Sequence, residues 1–229
     1  MSNFLRILEN EIQVALLIFM GTVYLLRLFW IFRFKPNRER TAPAGSEKAG
    51  IAYSLMNVAM PWAMESARKK PGFYIQFVIF HLGVAAAISA TFIIPYRPEL
   101  LQVKPVLRIF QLIIGAAFFV GLMRLYRRVA KPTMRLISTL DDYLSLIFMI
   151  LYFASGVLAI PNRYQEAEWP LILFFGLTAF FLLYVPFSKI SHYLYYPIAR
   201  FFLGKTLGHR GVLPMKRKKE EIFLEPQEK

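Results

Sequence analysis

Gly72-Phe-Tyr-Ile-Gln-Phe-Val-Ile-Phe-His81-Leu-Gly-Val-Ala-Ala-Ala-Ile-Ser-Ala-Thr91-Phe-Ile-Ile94 runs for 23 residues without an Asp, Glu, Lys or Arg. About 20 apolar residues in a helix cross the hydrocarbon core of a bilayer, so this run is long enough to span one. An open strand would leave its backbone groups unpaired in lipid, so the run reads as helix. Four further apolar runs, with at most two charged residues each, lie at 12–32, 106–126, 136–160 and 170–187. The fold class expected is an all-α integral membrane protein, a bundle of five transmembrane helices. The first run is too long for a signal-peptide core, and Arg33 stands where a small-residue cleavage site would be expected.

The composition agrees. The chain has 229 residues, is 57% hydrophobic and 18% charged, and has a mean hydropathy of +0.45. Soluble domains carry about 25% charged residues. The absence of cysteine excludes disulfides, cysteine-ligated zinc, iron–sulfur clusters and covalently attached c-type haem within this chain. An electron path through it would therefore need a partner to supply iron–sulfur chemistry.

The net charge of +14 is distributed unevenly. Of the 28 basic residues, 22 fall after the first run, between the third and fourth, or after the fifth. Arg33, Arg68, Arg124, Arg128, Lys189 and Lys216 are examples. Arg6, Arg97, Lys104, Arg108 and Arg163 occupy the opposite face, and Arg27 lies near the inner end of the first run, able to snorkel. The positive-inside rule then places the N-terminus outside and the C-terminus in the cytoplasm, in the cytoplasmic (inner) membrane of the cell. The charge serves orientation and attraction to anionic lipid, and calls for no nucleic acid.

Two regions follow from this pattern: a membrane domain at 1–192 and a basic cytoplasmic tail at 193–229. Residues 49–66, apolar but interrupted by Pro61, read as an interfacial helix on the cytoplasmic surface. Residues 96–104 sit among three prolines and read as a stiff outer loop, and 161–169 as a short outer loop with Tyr164 and Trp169 at interface depth. The charged strip at 216–221 is expected to be mobile or docked on a partner. Ser138 and Asp141 have capping-box-like spacing ahead of the fourth helix, a structural role first and a proton-transfer or docking role second.

Ionisable residues within the membrane are candidate functional sites. His81 lies about nine residues into the second run, roughly 14 Å along the helix. His192 follows the fifth run at comparable depth. Two readings of the pair stand side by side. The imidazoles can take the two axial positions of one haem, with Gly83 and the alanines at 85–87 leaving room for a flat macrocycle. Equally, His81 can hydrogen-bond a neighbouring helix and His192 can meet lipid headgroups. His209, between Gly208 and Arg210, reads as a solvated tail residue. Arg124, Arg127, Arg128, Arg135 and Lys189 crowd the inner face, where haem propionates or lipid phosphates would attract them. No nucleophile elbow or Walker-type loop is present, and no paired Gly/Pro-broken runs indicate a transporter.

Three stretches carry a resemblance. Phe80-His81-Leu82-Gly83-Val84, Arg135-Leu136-Ile137-Ser138-Thr139-Leu140-Asp141-Asp142 and Pro186-Phe187-Ser188-Lys189-Ile190-Ser191-His192 are similar to the second-, fourth- and fifth-helix motifs of the gamma-subunit family of respiratory nitrate reductase. That family includes cytochrome b anchors of heterodisulfide-reductase-like and sulfate-reduction-associated membrane complexes. The likeness runs from about residue 12 to 192, and the helix-five motif is its most specific part. It implies a membrane cytochrome b of anaerobic respiration that is not a catalyst alone. It passes electrons between menaquinone or another quinone and a cytoplasmic iron–sulfur subunit. Other membrane subunits and an external multihaem cytochrome c are implied partners. His81 and His192 match one axial pair, ligands of the haem nearer the cytoplasm. The family's second pair falls at Thr91 and Phe174, neither of which can ligate iron. One haem b and no outer haem are therefore expected. The alternative is a haem-free anchor or assembly subunit of such a complex.

Overall fold

The computed structural model describes residues 1–34 and 39–215. Among them five helices are long and apolar enough to cross a membrane, and no strand occurs. Helix α1 spans Asn3–Arg33, α2 Glu47–Met56, α3 Pro71–Tyr96, α4 Lys104–Ala130, α5 Leu140–Ala159, α6 Trp169–Tyr184 and α7 His192–His209. A 3₁₀ turn, Val185–Phe187, extends α6. The chain divides into two compact units, Met1–Lys35 with Lys69–His192, and Pro36–Arg68 with Tyr193–Lys229.

The first unit holds the five apolar helices. α3 packs on α4, α4 on α5, α5 on α6 and α6 on α1. Each helix is apolar on more than one face, as expected where lipid is the solvent. On α4, Leu112 is 72% exposed while Ile114 and Ala117 are fully buried, so one side of the same helix packs and the other presents an apolar surface outward. Phe153, Phe174, Phe175 and Leu171 form the buried centre. Gly83 sets the α3–α4 distance, since a Cβ there would come within 2.1 Å of the Ala117 Cβ.

Several boundaries differ from the sequence reading. α1 begins at Asn3 rather than 12. Ser2 caps it, accepting from the Leu5 N–H at 3.2 Å, and a π turn at Leu8–Ile12 carries Glu9, Asn10 and Glu11 within the helix. Gln13 then donates to the carbonyls of Leu8 and Phe175, which secures this polar end on α6. Residues 96–104 are not simply a loop: α3 runs through Pro95, and Glu99–Gln102 forms a further helical turn.

The fourth helix begins at Leu140, and the capping box is one residue later than the spacing of Ser138 and Asp141 indicated. Thr139 is the N-cap and Asp142 the reciprocating residue. Thr139 has the extended backbone an N-cap needs, with φ −98° and ψ 168°. Ser138 instead accepts from Arg128 at 2.6 Å and donates to the Met134 carbonyl, closing the short helix Pro132–Leu136. Asp141 accepts from the Tyr184 hydroxyl.

The second unit pairs α2 with α7. Gly50, Gly204 and Gly208 let the two backbones touch: a Cβ on Gly50 would lie 2.4 Å from the Gly204 carbonyl oxygen and 2.5 Å from the Gly208 Cα. Past Met56 the segment expected at 49–66 breaks into 3₁₀ turns at Asn57–Ala59 and Pro61–Ala63. His209 is not a solvated residue. Its side chain is 12% exposed, with Nδ1 3.1 Å from Glu47 Oε1 and Nε2 2.8 Å from the Thr41 carbonyl oxygen. The strip at 216–221 lies outside the described residues.

Candidate cofactor site

His81 projects from the middle of α3. Its Nδ1–H donates to the Phe77 carbonyl one turn earlier, at 2.7 Å. That bond selects the tautomer with an unprotonated Nε2, the state a metal-bound imidazole requires. The Phe77 ring lies 4.2 Å from the His81 ring, centroid to centroid, and fixes its tilt.

His192 reaches the same region by a different local device. Pro186 is buried in the 3₁₀ turn that ends α6. Ser188 breaks that turn and caps the next, accepting from the Ile190 N–H at 3.2 Å. Ser191 donates back to the Ser188 carbonyl at 2.8 Å. His192 then opens α7, with its Nδ1–H donating to the Lys189 carbonyl at 3.2 Å. Each polar residue of Pro186-Phe187-Ser188-Lys189-Ile190-Ser191-His192 thus helps to present the imidazole.

The two rings come together. Their centroids are 6.2 Å apart and their planes 82° from parallel. Two imidazoles on opposite sides of one metal place their centroids roughly 6 Å apart, given metal–nitrogen bonds of about 2.0 Å. Perpendicular planes are compatible with that arrangement, because each plane has only to contain the metal–nitrogen axis. Among the described residues no group of three or more His, Asp or Glu side chains is gathered to hold a bare metal ion. Two imidazoles suffice when a macrocycle supplies the remaining donors. The donor set therefore fits a haem.

His192 also lines a cavity of about 500 Å³, within the roughly 300–1,000 Å³ range of ligand pockets. Phe73, Phe80 and Met149 supply apolar walls, and Arg124, Arg127, Arg128 and Lys189 supply positive charge. Asp142 is the carboxylate on this wall. It accepts from the Thr139 N–H at 2.8 Å, the Thr139 hydroxyl at 2.9 Å and Lys189 at 3.0 Å, with Arg128 at 3.8 Å. This network ties the start of α5 to the turn that carries His192. Arg135 is exposed and does not line the cavity.

Thr91 and Phe174 form nothing comparable. Thr91 donates to its own helix at the Ile88 carbonyl, at 2.7 Å. Phe174 is fully buried and stacks on Tyr152, centroids 5.1 Å apart and planes 3° from parallel. Sequence reasoning missed the polar cluster of Asp141, Ser145 and Tyr184, where Ser145 and the Tyr184 hydroxyl lie 2.9 Å apart. Asp141 and Ser145 stand one turn apart on α5, but Tyr184 comes from α6, and no local spacing links it to them.

A protein of Nitratidesulfovibrio vulgaris, described only as "Protein", is 25% identical over 201 residues, spanning 83% of this chain and 87% of its own length. No family model and no solved structure matches the chain.

Proposed function

We propose that this chain is the membrane cytochrome b subunit of a multisubunit respiratory complex, holding one haem b between His81 and His192. The observation that carries the reading is the imidazole pair. Two rings from different helices stand 6.2 Å apart, each with Nδ1 bonded to a backbone carbonyl and Nε2 left for a metal. A haem bound there would supply reversible one-electron transfer. His81 and His192 would together hold the haem iron, and a haem held by two imidazoles would supply electron relay rather than substrate binding.

The remaining elements of the reading rest on charge and resemblance. The basic loops favour an N-terminus outside and a C-terminus in the cytoplasm, with the chain in the inner membrane. The imidazole pair then lies in the cytoplasmic half of the bilayer. An iron–sulfur subunit docked on the basic inner face is the electron partner on that side, and membrane quinone is the partner within the bilayer. Thr91 and Phe174 leave no second axial pair, so one haem per chain is proposed.

The test is haem b content and a reduced-minus-oxidised spectrum of the purified protein or its complex, with His81→Ala and His192→Ala variants. One bis-histidine haem per chain, lost in each variant, supports the reading. Full haem retention in either variant would sink the assignment. An assembled, colourless wild type would leave a haem-free anchor subunit instead.

A further inference from the structure

Arg124 and Arg127 stand on the cavity wall with His192, and among the described residues neither meets a carboxylate. The Arg124 guanidinium lies 4.7 Å from the Phe80 ring centroid, and that of Arg127 lies 4.3 Å from the Phe73 centroid. The Arg127 side chain also donates to the Met134 sulfur, at 3.8 Å. A cation–π contact of this kind uses none of the guanidinium's hydrogen-bond donors for a carboxylate, so its N–H groups can still serve an acceptor.

The neighbouring cations are committed elsewhere. Arg128 donates to Ser138, and Lys189 donates to Thr139 and Asp142. Asp142 is shared by Thr139, Lys189 and Arg128, so it has little capacity left for Arg124 or Arg127. The cavity therefore holds two uncompensated guanidiniums beside apolar walls. Both side chains are half-buried, and an anion would offset the partial desolvation of their charge. Residues three apart on one helix present their side chains side by side, about 5–6 Å apart at Cβ. That spacing suits two acidic groups on one edge of a ligand.

We propose that Arg124 and Arg127 bind the two carboxylates of the porphyrin, and so fix which edge of the macrocycle enters the cavity. The proposal rests on the cofactor reading above and assigns the pair alone, leaving Arg128 and Lys189 to position α5 and His192. A lipid phosphate is the other anion that could meet the same two groups, and the test separates them.

The full chain, prepared without haem in discs of neutral lipid, is titrated with iron protoporphyrin and with its dimethyl ester. The wild type should bind the diacid at least about tenfold more tightly than the diester, as expected for loss of charge-assisted bonds. The Arg124→Gln/Arg127→Gln variant should bind both forms equally, with the bis-imidazole spectrum unchanged. Arg124→Lys/Arg127→Lys should restore part of the preference, and Arg135→Gln should leave it intact. Equal binding of the two porphyrins by the wild type overturns the proposal whether or not any variant folds. A double Gln variant that keeps the wild-type preference overturns it too. If that variant instead loses tightly held phosphatidylglycerol from mixed-lipid discs, the pair is a lipid site. Failure of the cofactor reading has a different signature: no bis-imidazole spectrum in the wild type, or one that survives His81→Ala.

Discussion

His209 places both ring nitrogens against acceptors, a glutamate oxygen and a backbone carbonyl. Only the imidazolium can donate to both. The Thr41 carbonyl, and then Glu47, raise its pKa above the ordinary 6.5. Glu39 adds to the effect from farther away, while Lys205 and Arg210 occupy Glu47 and Glu39 respectively. A pKa raised in the folded state gives stability that is complete below the unfolded value and lost as pH rises through the folded one. The amides of Ala44 and Gly45, which donate to the His209 carbonyl, should report the change. Their hydrogen-exchange protection, corrected for intrinsic rate, should be greater below the ordinary imidazole value of 6.5 than at pH well above it. A His209→Gln variant should show a flat profile, and an unchanged profile in that variant would assign the dependence elsewhere. At this scale His81 and His192 were legible because histidine is rare in membrane helices and their motifs are local. His209 was misread because its partners lie more than 160 residues away in the chain.

Helix α5 shows what an element's start requires. Ser138, Thr139, Asp141 and Asp142 offer two overlapping boxes of equal spacing. The one that forms also lets Lys189 reach the Thr139 hydroxyl and Asp142. Long-range charge, which no local spacing reports, decides between them. Thr139→Ala removes the cap and should lower stability by about 0.5–2 kcal/mol, with Thr139→Ser close to wild type. Denaturant unfolding of the detergent-solubilised protein measures both, and an Ala variant as stable as wild type would show that Lys189 and Arg128 hold Asp142 without the threonine. The early start of α1 was hidden for a related reason. Glu9, Asn10 and Glu11 lie outside the apolar run that begins at residue 12, yet the π turn and the Gln13 bond to α6 keep them helical.

For the molecule as a whole, the five apolar helices were readable because lipid demands long apolar runs, and each run signals its own span. The α2–α7 pair was not readable in that way. Its contact depends on glycines at 50, 204 and 208, far apart in sequence, whose message is the absence of a side chain. Orientation is the remaining whole-molecule property, and it decides which side of the membrane the imidazole pair serves. The chain contains no cysteine, so a single introduced thiol can be labelled without background. Thr133 lies in the basic connection between α4 and α5, and Gln165 in the loop between α5 and α6; both are exposed and uncharged. With 22 of 28 basic residues on one side, a neutral replacement at either position leaves the orienting charge unaltered. In intact spheroplasts a membrane-impermeant maleimide should label Gln165→Cys and spare Thr133→Cys, and permeabilisation should expose the second. The reverse pattern would place the Arg-lined cavity on the outer side. An iron–sulfur partner in the cytoplasm would then be out of reach, although His81 and His192 would keep the same capacity to hold a haem.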